Sequence, residues 1–243
     1  MDITQVTKPA RRLLKLKYCG AVIVAAGSAS RMQGVDKIME PLCGEHVIVR
    51  TVRAFQECDA IRQIVIVTRQ ELLVPVMDLC HRFDKVTAVV VGGQSRQESV
   101  SNGLNALSSK VKLAAIHDGA RPLVTWQLID RVVRAANSYG AAAPAIPVKD
   151  TIKQVRGGVV METPDRSALQ AVQTPQVFDF DLLRGALKKA ELEQRTLTDD
   201  CSAVEQMGFS VKIVAGDEKN IKITTPQDLP LAKAILQYRG KGQ

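Results

Sequence analysis

Three stretches of this chain pair small residues with cations, a pairing suited to phosphate chemistry. In the first, AVIVAAGSASRMQGVDK, the apolar run Ala21 to Ala25 breaks at Ala26-Gly27 into a loop holding Ser28, Ala29 and Ser30, followed by Arg31, Gly34 and Lys37. A small-residue turn lets backbone approach a ligand closely, and N–H groups exposed there hold phosphate oxygens, so two cations just beyond it point to a polyphosphate. The competing reading is solvated surface charge beside an ordinary glycine-containing strand end, and this stretch alone leaves both open. It contains no GxxxxGK[ST], and the spacing of Gly27 and Gly34 is not GxGxxG, which argues against a standard P-loop or dinucleotide fold.

The second stretch, GGQSRQESV from Gly92 to Val100, repeats that logic. Ser95 and Glu98 stand in capping-box spacing, and a helix cap accounts for both without any function. The glycine pair Gly92 and Gly93 beside Arg96 and Ser99 fits a second wall of a nucleotide pocket. The third, HDGARP from His117 to Pro122, places Asp118 at the end of an apolar run with Arg121 three residues on. Ligands of open α/β sheets collect at the carboxyl ends of strands. A carboxylate there can hold Mg²⁺, directly or through water, or accept from a substrate hydroxyl; the alternative is an Asp that fixes its own turn. His117 reads as a packed strand-end residue rather than a base or metal ligand.

The elements that must place these residues alternate. Ala21 to Ala25, Ile64 to Val67, Thr87 to Val91, Leu113 to Ile116 and Ala141 to Ile146 read as buried strands without a polar face. Between them, His46 to Cys58, Leu72 to Phe83 with Pro75 in its first turn, a helix opened by Ser95, and Thr125 to Tyr139 capped by Thr125 read as helices. Pro41 to Gly44 makes a turn. Strand and helix in alternation predict a parallel, doubly wound α/β sheet.

The alternation stops at Val148 to Thr163, which reads as a hairpin: Thr151 to Val155, a turn at Arg156-Gly157-Gly158, then Val159 to Thr163. A lone hairpin is marginal in water, so this one is expected to pack on a partner as a dimer arm, with Arg166 following it. Beyond it are an extended piece at Gln173 to Phe178, helices over Asp179 to Leu192 and from a Thr198 cap to Gly208, and a strand at Ser210 to Val214. Last come a short strand Ile221 to Ile223 and a helix with Thr225 as N-cap and Pro226 at its first position. Lys222 on that short strand reads as sheet-edge protection.

Composition narrows the class. The 243 residues carry a formal net charge of +8, with 46% hydrophobic and 24% charged residues, ordinary globular values long enough to bury a core. Aromatics make up only 4%, too few for base-stacking platforms, so the positive charge suits anionic small substrates better than nucleic acid. The five cysteines form no CxxC pair, which argues for free thiols in a reducing cytoplasm and against structural zinc. No apolar window is long enough to span a membrane, and the N-terminus lacks a secretory signal core. Residues 1–18, with Lys8, Arg11, Arg12, Lys15 and Lys17, read as a basic extension.

In order and spacing, AAGSASRM, Lys37, GGQSRQESV, HDGARP, Asp165-Arg166, QTPQ at Gln173 to Gln176, TDD at Thr198 to Asp200 and NIKITTPQDL together resemble the 2-C-methyl-D-erythritol 4-phosphate cytidylyltransferase family, from about Gly20 to the C-terminus. The resemblance implies a Rossmann-like, mostly parallel sheet of the nucleotide-diphospho-sugar transferase type, one domain over residues 19–243 with a β-hairpin dimerisation arm at about 148–166. It implies transfer of CMP from CTP to the sugar-alcohol phosphate with Mg²⁺ and release of pyrophosphate, by direct attack on the α-phosphorus. Arg31 and Lys37 then match cations that stabilise the transferred nucleotidyl group. Arg166, reaching the partner's site, and Lys222 match those that hold the acceptor phosphate. Ala25, Ala26, Gly27, Gly92, Gly93, Arg96 and Ser99 match the CTP wall, and Asp118, Arg121, Thr174 and Thr198 the acceptor side, with Asp118 also placed to order Mg²⁺ that is held mainly by the CTP phosphates.

Departures from the family pattern are Ala29 for a glycine, Asp36-Lys37-Ile38 where Pro-Lys-Gln is common, and Pro230 early in the last helix. Asp36 is expected to lower the local positive potential. The alternatives are a ribitol-5-phosphate cytidylyltransferase, a catalytically silent nucleotide sensor on the same fold, and a nucleic-acid-binding protein. Retention of Arg31, Lys37, Arg166 and Lys222 argues against the sensor. The segment Thr163 to Ala171 before QTPQ, with TDDCSAVE after it, looks more like the methylerythritol enzyme than the ribitol one.

Overall fold

The computed structural model describes residues 15–27 and 36–240. Lys8, Arg11 and Arg12 of the extension, and Ser28, Ala29, Ser30, Arg31 and Gly34 of the opening loop, lie outside the described residues. The chain runs β1 (Cys19–Val24), a small hairpin of β2 (Pro41–Leu42) and β3 (Glu45–His46), α1 (Val47–Glu57) and β4 (Ile61–Thr68). After a 3-10 turn at Gln70–Leu72 come α2 (Leu73–Cys80), β5 (Val86–Val91), α3 (Arg96–Asn105), β6 (Leu113–Asp118), α4 (Trp126–Tyr139) and β7 (Ala141–Pro147). The remainder is β8 (Gln154–Arg156), β9 (Val159–Glu162), β10 (Gln170–Val172), β11 (Gln176–Asp179), α5 (Phe180–Leu192), α6 (Asp200–Glu205), β12 (Lys212–Ala215) and α7 (Asp228–Gly240).

Uniformly apolar strands need cover on both faces, and the sheet has it. Its order is β10-β7-β11-β6-β1-β4-β5, with β12 also beside β7. Because side chains alternate across a strand, Ala21, Ile23, Ile64, Ile66, Leu113 and Ala115 enter one core while Val22, Val65, Val67, Ala114 and Ile116 enter the other. The first core is closed by α1, α2, α4 and α7, the second by α3, α5 and α6. Each fully buried aliphatic side chain contributes about 1.5–3 kcal/mol, so the central strands hold the frame rigid. The doubly wound expectation holds, with one amendment: β11 runs antiparallel between β6 and β7, and β10 antiparallel along β7.

Several local expectations are corrected. Of the extended piece at 173–178 only Gln176 to Phe178 is strand, as part of β11; Gln173, Thr174 and Pro175 lie between it and β10. Residues 221–223 form no strand; the segment is extended and tied to the body by Ile223 N–H donating to the Ala120 carbonyl, 2.8 Å, so Lys222 is no edge guard. The cap of α6 is Asp199, not Thr198, because Asp199 and Ser202 bond reciprocally in a capping box. The last helix starts at Asp228, whose carboxylate takes the N–H groups of Thr224 (2.7 Å) and Thr225 (2.8 Å); Pro226 lies in the preceding turn. Pro230 falls in the first turn of α7, where a backbone donor has no intrahelical partner to lose.

The hairpin of β8 and β9 pairs as a separate two-stranded sheet. Its turn places Gly157 and Gly158 at φ +57° and +80°, the pair of positive values that a two-residue primed turn requires. Val155, Val159, Val160 and Met161 are exposed along it.

Candidate active site

The carboxyl ends of β1 and β6, the loop after β5 and the segment before α7 surround a cavity of about 400 Å³. Its walls include Ala25, Ala26, Gly27, Lys37, Gly93, Arg96, Ser99, Asp118 and Lys222. Residues up to two hundred positions apart in sequence are thus gathered where strands end, as the open α/β arrangement requires.

Asp118 is the hub. Only 8% exposed, it receives Lys222 Nζ on Oδ2 at 2.9 Å and Arg121 Nε at 3.3 Å, with the Arg96 guanidinium 4.0 Å from Oδ1. Burial alone would push this carboxyl up; the charges of Lys222, Arg96 and Arg121 outweigh burial and hold it below the usual carboxylate range. Arg96 in turn donates to Asp200 Oδ2 at 2.7 Å. Burial pushes Asp200 up while Arg96, which keeps its proton at any working pH, pulls the other way. Lys222, Arg121 and Arg96 meet the carboxylates of Asp118 and Asp200, with Asp199 also near enough to act on Arg96, and Lys37 lines the same cavity.

Behind Asp118 lies a polar network that holds its backbone. Thr174 Oγ1 accepts the Asp118 N–H at 3.2 Å and donates to His117 Nδ1 at 2.9 Å, which leaves Nε2 as the protonated ring nitrogen, facing the Arg121 carbonyl at 3.4 Å. His117 is wholly buried, packs on Phe55 with ring centroids 4.9 Å apart, and is held neutral by burial, its pKa down to about 3. It is the packed strand-end residue expected.

The loop carrying Lys222 is fastened to the same frame. Gln173 donates to the Asp217 carbonyl (2.8 Å) and accepts its N–H (3.2 Å). Buried Asn220 donates to the Thr174 carbonyl at 2.9 Å, and Arg121 donates to the Asn220 carbonyl at 2.8 Å. Gln176 mirrors Gln173: it donates to Asp199 (2.8 Å) and accepts the N–H groups of Asp200 (3.1 Å) and Cys201 (3.2 Å). The two glutamines of QTPQ therefore clamp the Lys222 loop on one side and the Asp200 turn on the other.

The opposite wall is made by close approach. A Cβ on Gly92 would lie 2.4 Å from Ala26 Cβ, so a side chain there would drive the two loops apart. Ser99 accepts the Gly93 N–H at 3.1 Å and donates to the Ser95 carbonyl at 2.9 Å, spending its hydroxyl on the loop's shape. The cap on α3 is present, with Ser95 accepting from Glu98 N–H, but the Glu98 carboxylate takes the Gln94 N–H rather than that of Ser95.

Of the expected site residues, Ala25, Ala26, Gly27, Lys37, Gly93, Arg96, Ser99, Asp118 and Lys222 converge on the cavity, Gly92 packs behind its first loop, and Arg121 and Thr174 stand behind Asp118 with their polar groups engaged. Arg166 and Thr198 are exposed and do not line it; Arg166 donates to the Lys149 carbonyl at 2.8 Å at the base of the hairpin. Sequence reasoning assigned nothing to Asp200, Asn220, Gln173 and Gln176, although all four stand inside the quoted motifs. Polar residues quoted beside a ligand-type residue were the available signal, but which loop each one holds depends on long-range packing.

Asp36 does not stand alone. Its carboxylate is paired with Arg69, a cation that it shares with Glu71. Among the described residues no three His, Cys, Asp or Glu side chains converge as a metal site, and both Asp118 oxygens face cations. The donor set does not fit a metal held by the protein. Among the described residues no helix is long and apolar enough to cross a membrane.

Comparison with known proteins agrees with this fold. The family model described as IspD, 2-C-methyl-D-erythritol 4-phosphate cytidylyltransferase, matches residues 19–238. A protein of that name from Caldanaerobacter subterraneus subsp. tengcongensis is 44% identical over 89% of this chain and 98% of the relative. Another from Geobacillus kaustophilus is 46% identical over 90% of this chain and 97% of the relative. The solved 4-diphosphocytidyl-2C-methyl-D-erythritol synthase of Anaerococcus prevotii superposes with a TM-score of 0.83 at 31% identity, covering 91% of this chain and 96% of that one. With a matching family model over most of its length, near-full-length relatives and the same fold, the chain belongs to the IspD family of 2-C-methyl-D-erythritol 4-phosphate cytidylyltransferases.

Proposed function

We propose that this cytidylyltransferase transfers CMP from CTP to 2-C-methyl-D-erythritol 4-phosphate, with pyrophosphate leaving, by in-line attack of the acceptor phosphate on the α-phosphorus of CTP. The observation that carries the reading is the meeting of Lys37, Arg96 and Lys222 from three distant segments on one cavity. The attacking phosphate has its second pKa near 6 and is ionised at neutral pH, so no general base is needed. What the reaction needs is alignment of two anions and neutralisation of charge as the α-phosphorus passes through its crowded state.

Lys222, fixed by Asp118 and by the ties to its loop, meets the acceptor phosphate; Lys37 meets the transferred nucleotidyl group on the other side, joined by Arg31. The close-packed loops at Ala25 to Gly27 and Gly92-Gly93 receive the base and ribose, leaving room for a pyrimidine. Asp118 orients Lys222 instead of ligating metal. Mg²⁺, if bound with the triphosphate, would supply neutralisation of charge on the leaving pyrophosphate.

The arm completes the site in a homodimer. Exposed Val155, Val159, Val160 and Met161 supply the apolar contact, and Arg166 beside them reaches the acceptor phosphate in the partner's cavity. A cytoplasmic location is supported by five free cysteines.

The test is pyrophosphate release with Mg²⁺, crossing CTP, UTP, ATP and GTP against methylerythritol phosphate and ribitol 5-phosphate. Turnover with CTP and methylerythritol phosphate alone is expected. Turnover with ribitol phosphate would keep the fold and move the acceptor; silence in every combination would sink the catalytic reading.

A further inference from the structure

The side chain of Arg69 has three partners, and two of them flank the opening loop. It follows β4, the strand next to β1, in extended conformation at the start of the 3-10 turn. One terminal nitrogen donates to the Gly27 carbonyl at 3.0 Å, the other is paired with the Asp36 carboxylate, and Nε donates to Glu71 at 2.6 Å. Gly27 ends the described part of the loop on one side, and Asp36 begins it again on the other. Both are next to, or part of, the cavity wall.

Asp36 shapes the turn that holds Lys37. Its Oδ1 accepts the Ile38 N–H at 3.2 Å and its carbonyl accepts the Met39 N–H at 3.0 Å, so the backbone of Lys37 is closed inside an Asp turn. The other carboxylate oxygen belongs to Arg69. A guanidinium is a planar fork whose donors can serve a carbonyl and a carboxylate at once, a task a lysine ammonium performs without fixed direction. Arg69 is about three-quarters buried at its side chain, as is Asp36 at its own, so this is a sheltered pair rather than a solvated one. With two carboxylates answering its one charge, Arg69 is poorly placed to serve as a phosphate ligand itself.

We infer that Arg69 is a positioning residue for the transfer reaction: by joining the Gly27 carbonyl to the Asp36 carboxylate it sets the distance between the nucleotide-facing loop and the Lys37 turn, and so aims Lys37. This rests on the role given to Lys37 above. Because misplacement of a catalytic group by about 1 Å can cost roughly 100-fold in rate, the effect belongs in turnover more than in substrate affinity.

The experiment is a double-mutant cycle on steady-state kinetics of the full chain, with thermal melting as the control for folding. Arg69→Ala is expected to lower kcat roughly 10- to 100-fold with a smaller change in KM for CTP, and Arg69→Lys to fall between. In a Lys37→Ala background, Arg69→Ala should cost little more, since there is no longer a cation to aim. Equal losses from Arg69→Ala in both backgrounds, or an unchanged kcat in the single variant, would overturn the inference while leaving the Lys37 role intact. A Lys37→Ala enzyme with normal kcat would overturn the Lys37 role and this inference with it.

Discussion

Around the cavity, charged side chains are bound to one another and to the frame: Lys222, Arg121 and Arg96 surround Asp118, and Asp200 holds Arg96 from behind. Along the arm the situation is reversed. Val155, Val159, Val160 and Met161 stand exposed on a two-stranded sheet, and Arg166 at its base is an exposed cation bonded to one backbone carbonyl. The first region is organised before any ligand arrives, so its charges need no rearrangement to meet phosphate, which is where electrostatic catalysis gains most. The second has apolar surface left over, which the proposed homodimer would bury. One region is tied together by contacts within the single chain; the other leaves apolar surface exposed.

That contrast can be broken at several points. The largest effect is expected at Lys222, the most directly placed cation: Lys222→Ala should lower kcat/KM roughly 100- to 1,000-fold, measured by pyrophosphate release, with melting temperature little changed because Asp118 keeps Arg121 and Arg96. A loss of fold rather than of rate would mean that the cavity cluster is a structural ion network first. Next in size, Arg166→Ala should raise KM for the acceptor roughly tenfold with a smaller effect on kcat. Val160→Asp, which places a charge on the apolar arm, should shift sedimentation from dimer to monomer and impose a similar loss. A wild-type chain that sediments as a monomer at micromolar concentration with full activity would remove the difference between the two regions.

The smallest effect sharpens the description of the frame beneath the cavity. His117 is neutral in the folded chain down to about pH 3, whereas an unfolded histidine takes a proton near pH 6.5. The unfolded state therefore binds more protons between those values, and stability falls as pH is lowered through that window. His117→Gln should flatten the dependence of unfolding free energy on pH between about 6.5 and 3 by close to one proton, read from urea unfolding at several pH values. An unaltered slope would show that the ring is not the group responsible.

Much of the frame was legible because periodicity reports burial. Runs such as Ala21 to Ala25 and Leu113 to Ile116 have no polar face, and a run without one must lie in a sheet covered on both sides. Caps at Ser95 and Thr125 are local chemistry and came out as read. The misreadings occurred where a local signal met a distant partner. Ile221 to Ile223 has the composition of a strand, but its backbone bonds to Ala120 instead of a ladder. Thr198 looked like a cap, yet Asp199 was the residue that Ser202 could answer. Asp36 was read for its charge alone because its partner, Arg69, is 33 residues away.

The sequence by itself determined which side chains carry charge, which segments are apolar on both faces, and the order of motifs that marks the family; these are properties of residue type and spacing. Only the tertiary structure decided that Lys37, Arg96, Asp118 and Lys222 share one cavity, that the glutamines of QTPQ clamp two separate loops, and that Arg69 spans the opening loop to Asp36. Such contacts are made by side chains tens to hundreds of residues apart, and no local preference encodes them. They follow from the order in which the strands lie in the sheet, which brings the carboxyl ends of β1, β4, β5 and β6 to one edge, where the loops that follow them must meet.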